Sequence, residues 1–402
     1  MTDKSAMHIL VLDDEPFMLK LLGRILTGLG YTDVLYHESA SEALIMFNTP
    51  ESVPDVILLD IKMHGMDGIE FVRHLSERQY TGHLILVSGM EELLLRATEK
   101  LARAYNMSVA GVLSKPPTPV ELGELLAICS SMPPKKLHEK HKTYDAGALQ
   151  AAIEKGELVN YYQPKVLVAT GELVGVETLV RWQHPEDGLV LPDHFIQVAE
   201  ANGLINALTH RVLKEALKQA RIWYDAGMHL RVAINVSMDD LANVAFGDFV
   251  IAAAEEAGVP TELLELEVTE RRLMESLLPV LDVLTRLRLK RIRLSIDDFG
   301  TGNSSLVQLR DLPFDEIKVD RSFTHHARHN ARLKAIFEAS LDLANYLNME
   351  LAAEGVEDAD DWAFMQATGC HIAQGYYIGS PMPADELQKW TLEWLARVSS
   401  II

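Results

Sequence analysis

The chain is poor in cysteine: Cys129 and Cys370 are the only two in 402 residues and lie far apart. That excludes a disulfide framework and a thiolate zinc site, and it fits a reducing cytoplasm. Long apolar runs are missing too. The opening stretch offers only Ile9–Leu12 behind His8, too short for a signal-peptide core, and no span of about 18 apolar residues follows. The expectation is a soluble cytoplasmic protein with no membrane segment. Positive charge is scarce: 37 Lys and Arg face 58 Asp and Glu, for a formal net charge of -21. A generic DNA binder displaces counterions with Lys and Arg, so that class is excluded, and an anionic ligand would need metal or a local Arg or Lys. There is no short internal repeat, which excludes a solenoid. The composition, 48% hydrophobic and 24% charged, is that of a globular protein with room for two or three domains.

Residues 8–128 alternate between strand and helix patterns. HILVLDD, a weak strand at 33–36, DVILLD, HLILVSG and VAGVLSKP alternate with helical stretches at 17–29, 41–47, 68–78, 91–105 and 119–127. Five βα units imply a doubly wound, flavodoxin-like parallel sheet with its site at the carboxyl ends of the strands. Those ends carry Asp13 and Asp14, Asp60, Ser88, and Lys115 followed by Pro116. Three carboxylates, a hydroxyl and an amine at one edge suit a hard cation beside a carboxylate that accepts a phosphoryl group. On these residues the segment resembles a response-regulator receiver domain. The resemblance implies Asp60 as phosphoacceptor, Asp13 and Asp14 as Mg²⁺ ligands, Ser88 and Lys115 as phosphoryl contacts, and a histidine kinase or phosphotransfer protein as partner. Val112 stands where many receivers have an aromatic switch residue, and the segment from Ser88 to Lys115 is longer than usual, its helix a candidate interface.

Residues 129–145, CSSMPPKKLHEKHKTYD, lose apolar periodicity and read as a linker. From 146 to 402 the βα rhythm returns on a larger scale, with polar side chains at each strand end: Glu177 and Arg181, Asn235, Glu267 and Glu270, Asp297 and Asp298, Lys318 and Asp320, Glu354 and Glu357, and Gln374. Roughly 250 residues so arranged point to a TIM-type barrel, which builds its site at that face.

The adjacent Asp297 and Asp298 close the strand RIRLSIDD before a flexible FGTGNSS loop. Two carboxylates held together call for cations or a shared proton. Glu177, Asn235, Glu267 and Asp297 offer oxygen ligands only, a shell for Mg²⁺ or Mn²⁺ rather than zinc. Glu354 and Asp298 remain for a second ion, the arrangement that clamps an in-line phosphoryl displacement. Lys318 is placed to orient or deprotonate a water, and Arg181 to fork a phosphate oxygen. The histidines, His325 and His326 among them, lack ligand spacing and read as surface or packing residues.

The motifs ETLVR, NVS, ELEVTE, DDFGTG, KVD, EGVE and QGY stand in order, and on them residues 146–402 resemble an EAL-domain cyclic di-GMP phosphodiesterase. The resemblance implies hydrolysis to linear pGpG with water activation shared by Lys318 and Glu354. It further implies substrate contacts at Gln163, Leu179, Arg181, Asp320, Glu357 and Gln374, and homo-oligomers through this domain, with the receiver as a second interface. In the family the loop 299–305 joins the metal site to the dimer interface and is braced by the residue equivalent to Glu270; its customary aromatic is here Asn303. The other reading is a non-catalytic cyclic di-GMP sensor, but sensors lose metal ligands and this chain keeps them.

Overall fold

The computed structural model describes residues 7–47, 53–89, 92–105, 107–131, 144–269, 277–301, 309 and 311–398. The chain divides into two compact units, Met1–Lys142 and Thr143–Ile402.

In the first unit five parallel strands, β1 (Ile9–Leu12), β2 (Val34–His37), β3 (Val56–Asp60), β4 (His83–Ser88) and β5 (Ser108–Ser114), lie in the order 2-1-3-4-5. Every residue of β1, β3 and β4 is buried. That is why they read as continuous apolar runs: helices cover both faces, leaving no solvent side to alternate with. Helices α1 (Pro16–Leu29), α2 (Ala40–Met46), α3 (Gly68–Glu77), α4 (Glu92–Ala104) and α5 (Pro119–Ser131) form those layers. Ser39 and Asp67 cap α2 and α3 by accepting the N–H of Glu42 and Glu70. Gly68 lets α3 start against the strand end that bears Asp60; a Cβ there would sit 2.6 Å from the Asp60 carbonyl. Helix α5 runs past 128 into the stretch read as linker, because Leu122, Leu126 and Cys129 continue one buried stripe.

The second unit is a closed barrel. Strands β6 (Leu158–Leu167), β7 (Leu173–His184), β9 (Arg231–Val236), β10 (Leu264–Thr269), β11 (Arg293–Phe299), β12 (Glu316–Val319), β13 (Glu350–Ala353) and β14 (Ile372–Ala373) form the ring, and β8 (Gly188–Val190) is a flap on β7. The departure from the expected all-parallel TIM pattern is β6, antiparallel to both β7 and β14. Period-two alternation does not reveal strand direction, so the sequence carried no sign of it. Pro164 lies inside β6 without cost: on that edge β14 pairs only with Val166 and Leu167, while Tyr162 bridges Met382.

The apolar core lies outside the ring. Outward residues such as Leu264, Leu266, Val268, Leu294, Ile296, Ile317 and Leu351 are buried with the helices. Helix 205–225 contributes Leu208, Val212, Leu213, Ala216, Leu217, Ala220 and Trp223 to that core, each large side chain stabilising by about 1.5–3 kcal/mol. No helix among the described residues is long and apolar enough to cross a membrane.

Candidate active site

The inside of the ring is charged rather than filled by branched apolar residues. Alternation puts Arg231 and Asn235, Glu265 and Glu267, Arg293, Ser295 and Asp297, and Glu316 and Lys318 on the inner face of their strands. Toward the strands' amino ends Arg231 and Arg293 both pair with Glu350, and Arg293 also meets Glu265 at 3.3 Å. Above them the Lys165 ammonium lies 2.6 Å from Glu265, 2.7 Å from Glu316 and 3.3 Å from Glu267. These lower layers match three cations with Glu350, Glu265 and Glu316.

At the carboxyl ends the balance breaks. The fully buried Lys318 ammonium lies 2.7 Å from Glu354, 2.9 Å from Glu267, 3.2 Å from Asp297 and 3.3 Å from Glu177. Asp298 joins them through a backbone device. Consecutive strand residues point to opposite faces, but the β11–β12 register slips between Ile296 and Phe299, and Asp298 adopts φ 57°. This bulge brings ligand oxygens of Asp297, Asp298 and Glu354 within 4.8 Å of one another. Glu177 is fixed from two sides: Gln374 Nε2 donates to it at 2.6 Å and Asn235 Nδ2 at 2.9 Å, while Gln374 Nε2 also reaches Gln163 at 3.0 Å. Gly375 permits that placement of Gln374, since a Cβ there would sit 2.2 Å from the Val356 carbonyl.

The electrostatics follow from burial and count. Burial disfavours the Lys318 charge, yet Asp297, Glu177, Glu267 and Glu354 hold the ammonium well above its ordinary pKa. Burial above all pushes Glu354 up to about 8, opposed by Lys318 and reinforced by Asp297 and Glu177. Burial and Glu177 push Glu267 well above the carboxylate range. Burial works against ionisation of Glu177 as well, but Lys318, Gln374 and Asn235 keep it below its ordinary value. Among the described residues one lysine faces five carboxyl groups where the layers beneath are matched one to one, and Glu267 and Glu354 meet part of that imbalance by holding protons. The donors are all oxygen or amide, and Gln374 Oε1 is buried with no hydrogen-bond partner among the described residues. Hard divalent cations fit this site.

The expected substrate contacts divide. Gln163 and Gln374 belong to the cluster. Leu179 lines a cavity of about 270 Å³ with Thr178, Asn235 and Ser237. Arg181 lies 5.7 Å from the Tyr161 ring centre and donates to the Val180 carbonyl at 2.8 Å. Asp320 caps the short helix 321–324 through the Ser322 N–H, and Glu357 pairs with Arg321 at 2.7 Å and His325 at 3.6 Å. None of these last four bonds directly to the carboxylate cluster. Glu270 and Asn303 lie outside the described residues. Sequence reasoning missed Lys165, Glu265 and Glu316 as a connected interior cluster; the signal was available as charged residues alternating with apolar ones in LELEVT and EIKV.

The receiver's expected residues also converge. The Lys115 ammonium lies 2.8 Å from Asp13 and 2.7 Å from Asp60. Asp13, Asp60 and the adjacent strand-end Ser88 are buried, and Asp13, Asp14 and Asp60 bring ligand oxygens within 4.8 Å of one another. Burial raises the Asp60 pKa against the pull of Lys115. Burial works against Asp14's charge, but hydrogen bonds from the His64 ring and backbone hold its pKa down.

A charged barrel mouth of this design, in a chain that also carries a receiver-type sheet, defines the class: the EAL domain model matches residues 146–381 and the response regulator receiver domain model residues 9–127. The chain belongs to the EAL domain family and carries a receiver domain ahead of it. Among its relatives is the cyclic di-GMP phosphodiesterase RocR of Pseudomonas aeruginosa, 31% identical over 94% of this chain and 96% of RocR. The cyclic di-GMP phosphodiesterase PdeR of Escherichia coli is 36% identical over 62% of this chain, which spans only 38% of that longer protein. A solved PaMucR phosphodiesterase in complex with c-di-GMP superimposes with TM-score 0.58 at 40% identity, covering 60% of this chain and 98% of that one.

Proposed function

We propose that this chain hydrolyses cyclic di-GMP to linear pGpG with two divalent ions, Mg²⁺ or Mn²⁺, and that phosphorylation of its receiver sets the rate. The observation that carries the reading is the convergence of five carboxyl groups, braced by the Asn235 and Gln374 amides, around a single lysine at the barrel mouth. Glu177, Asn235, Glu267, Asp297, Asp298 and Glu354 would hold them. Bound there, the ions supply Lewis-acid polarisation to a phosphodiester.

The chain's own groups do the rest. Lys318, whose ammonium lies 2.7 Å from Glu354, orients an attacking water, and the two share its activation, with Glu354 Oε taking the proton. Gln163, Leu179, Arg181, Asp320, Glu357 and Gln374 surround the mouth as contacts for a guanine dinucleotide, with Arg181 suited to a phosphate oxygen. In the receiver Asp60 accepts the phosphoryl group from a histidine kinase or phosphotransfer protein, Asp13 and Asp14 hold one Mg²⁺, and Ser88 and Lys115 contact the phosphoryl oxygens. The setting is the cytoplasm, as a homo-oligomer.

The test incubates purified protein with cyclic di-GMP and Mg²⁺ or Mn²⁺ and separates the nucleotides by chromatography. Metal-dependent pGpG is expected. Tight binding with no product at any metal concentration would replace the enzyme by a sensor.

A further inference from the structure

Beneath the catalytic lysine lies a second lysine that the proposed reaction does not use. Lys165 is 3% exposed, and so are, or less, its three partners Glu265, Glu267 and Glu316. Its ammonium has three N–H donors and three carboxylates within 3.3 Å, one from each. Glu316 Oε1 takes a further bond from Ser295 at 3.0 Å, and Glu265 is held on its other oxygen by Arg293. Lys165 is therefore fixed by two anchored acids, and the third, Glu267, is the one that reaches upward.

Glu267 spans the two layers. Its Oε1 faces Lys165 at 3.3 Å and its Oε2 faces Lys318 at 2.9 Å. With both oxygens engaged, the plane and tilt of the carboxylate are set by two ammonium groups on opposite sides. We infer that Lys165 is a positioning residue for the metal centre: by holding Glu267 Oε1 from below it fixes the plane of the carboxylate, so that Oε2 is aimed at Lys318 and at the ions. This rests on reading the mouth of the barrel as a divalent-metal site.

The geometry separates this role from simple charge balance in the barrel. Were Lys165 needed only to neutralise Glu265 and Glu316, its loss would lower stability and leave the metal affinity of molecules that still fold untouched. A positioning role predicts the reverse weighting, because partners one bond behind a metal ligand set its orientation and are worth about 10–100-fold in affinity.

The experiment measures Mn²⁺ binding without substrate, by calorimetry and by electron paramagnetic resonance of the bound ion, in full-length wild type and Lys165→Met. Circular dichroism and thermal unfolding establish the folded fraction. The expected result is Mn²⁺ affinity lowered about 10–100-fold, an altered Mn²⁺ spectrum, and kcat reduced at saturating metal with KM for cyclic di-GMP within about twofold of wild type. Folded Lys165→Met that binds Mn²⁺ as wild type does, with an unchanged spectrum, would overturn the inference. If Lys165→Met does not fold, Glu316→Gln carries the test. It keeps the side-chain volume and removes one competitor for the ammonium, which then draws Glu267 downward. A loss of Mn²⁺ affinity of about threefold or more supports positioning, and an unchanged affinity overturns it. Wild type that binds Mn²⁺ but yields no pGpG would refute the phosphodiesterase reading while leaving the Lys165 result interpretable.

Discussion

The receiver edge and the barrel mouth are built from the same parts, clustered carboxylates and one lysine at the carboxyl ends of parallel strands, and they differ in depth and in count. In the receiver Lys115 spans two of three aspartates and its side chain keeps 14% of its surface exposed. In the barrel Lys318 touches four of five carboxylates and is fully buried. The shallow cluster sets three aspartates around a lysine that keeps part of its surface in solvent. The deep cluster sets five carboxyl groups around one lysine and has them braced by Asn235, Gln374 and a second lysine below. Depth is what distinguishes the two: a lysine partly in solvent beside Asp60 in one, a lysine sealed among its carboxyl partners in the other.

Removing a ligand at the deep site gives the largest effect. Asp297→Ala and Glu177→Ala are expected to reduce pGpG formation by about 10²–10³-fold or more while circular dichroism stays that of wild type. Near-wild-type turnover in either would remove those residues from the site.

The comparison sharpens when the two lysines are exchanged for methionine in separate variants. Lys318→Met removes the fully buried cation shared by Glu177, Glu267, Asp297 and Glu354 and should cost about 3–5 kcal/mol of stability in chelator-treated protein. Lys115→Met, at a solvent-reached edge, should cost about 1 kcal/mol. Equal losses in denaturant unfolding would mean that depth does not set the difference.

Phosphorylation of Asp60 is expected to change the hydrolysis rate by about 5–150-fold, a coupling of about 1–3 kcal/mol, and Asp60→Asn should not respond. Val112, lacking the hydroxyl of an aromatic switch, argues for the low end. Equal rates before and after a small phosphodonor, with the modification confirmed by mass, would break the link.

The metal-free protein should also show the comparison in its pH profile. Glu354 is raised to about 8 in the fold against about 4.3 for a free glutamate. Between those values the folded state binds more protons than the unfolded one, so stability falls as pH rises from about 5 to 8. Thermal unfolding should show that slope, and Glu354→Gln should flatten it. A wild-type slope of the opposite sign would count against the burial of this carboxyl.

Much of this was legible beforehand. The receiver's βα order and its converging Asp13, Asp60 and Lys115 followed from apolar runs that end in charge, as did the barrel's Glu177, Asp297 and Lys318. Three features were not legible, each for a physical reason. The antiparallel course of β6 is invisible to a period-two pattern. The turning of Asp298 to the side of Asp297 depends on a backbone bulge rather than on side-chain type. The pairing of Lys165 with Glu265 and Glu316 joins residues at least 100 positions apart, a relation set by barrel closure and not by local spacing.

That closure has a consequence of its own. Gln163 lies on the first strand of the ring and Gln374 at the end of the last, 211 residues later, and their bond forms only when the two ends of the sheet meet. The loop that must close to bring them together is among the longest in the chain, so this contact is entropically late. Glu177 receives its Gln374 hydrogen bond in that same event. A barrel missing its final strand, whether unfinished on the ribosome or locally opened, lacks the amide that steadies Glu177, and the carboxylate cluster is fully oriented only after the chain has completed the ring.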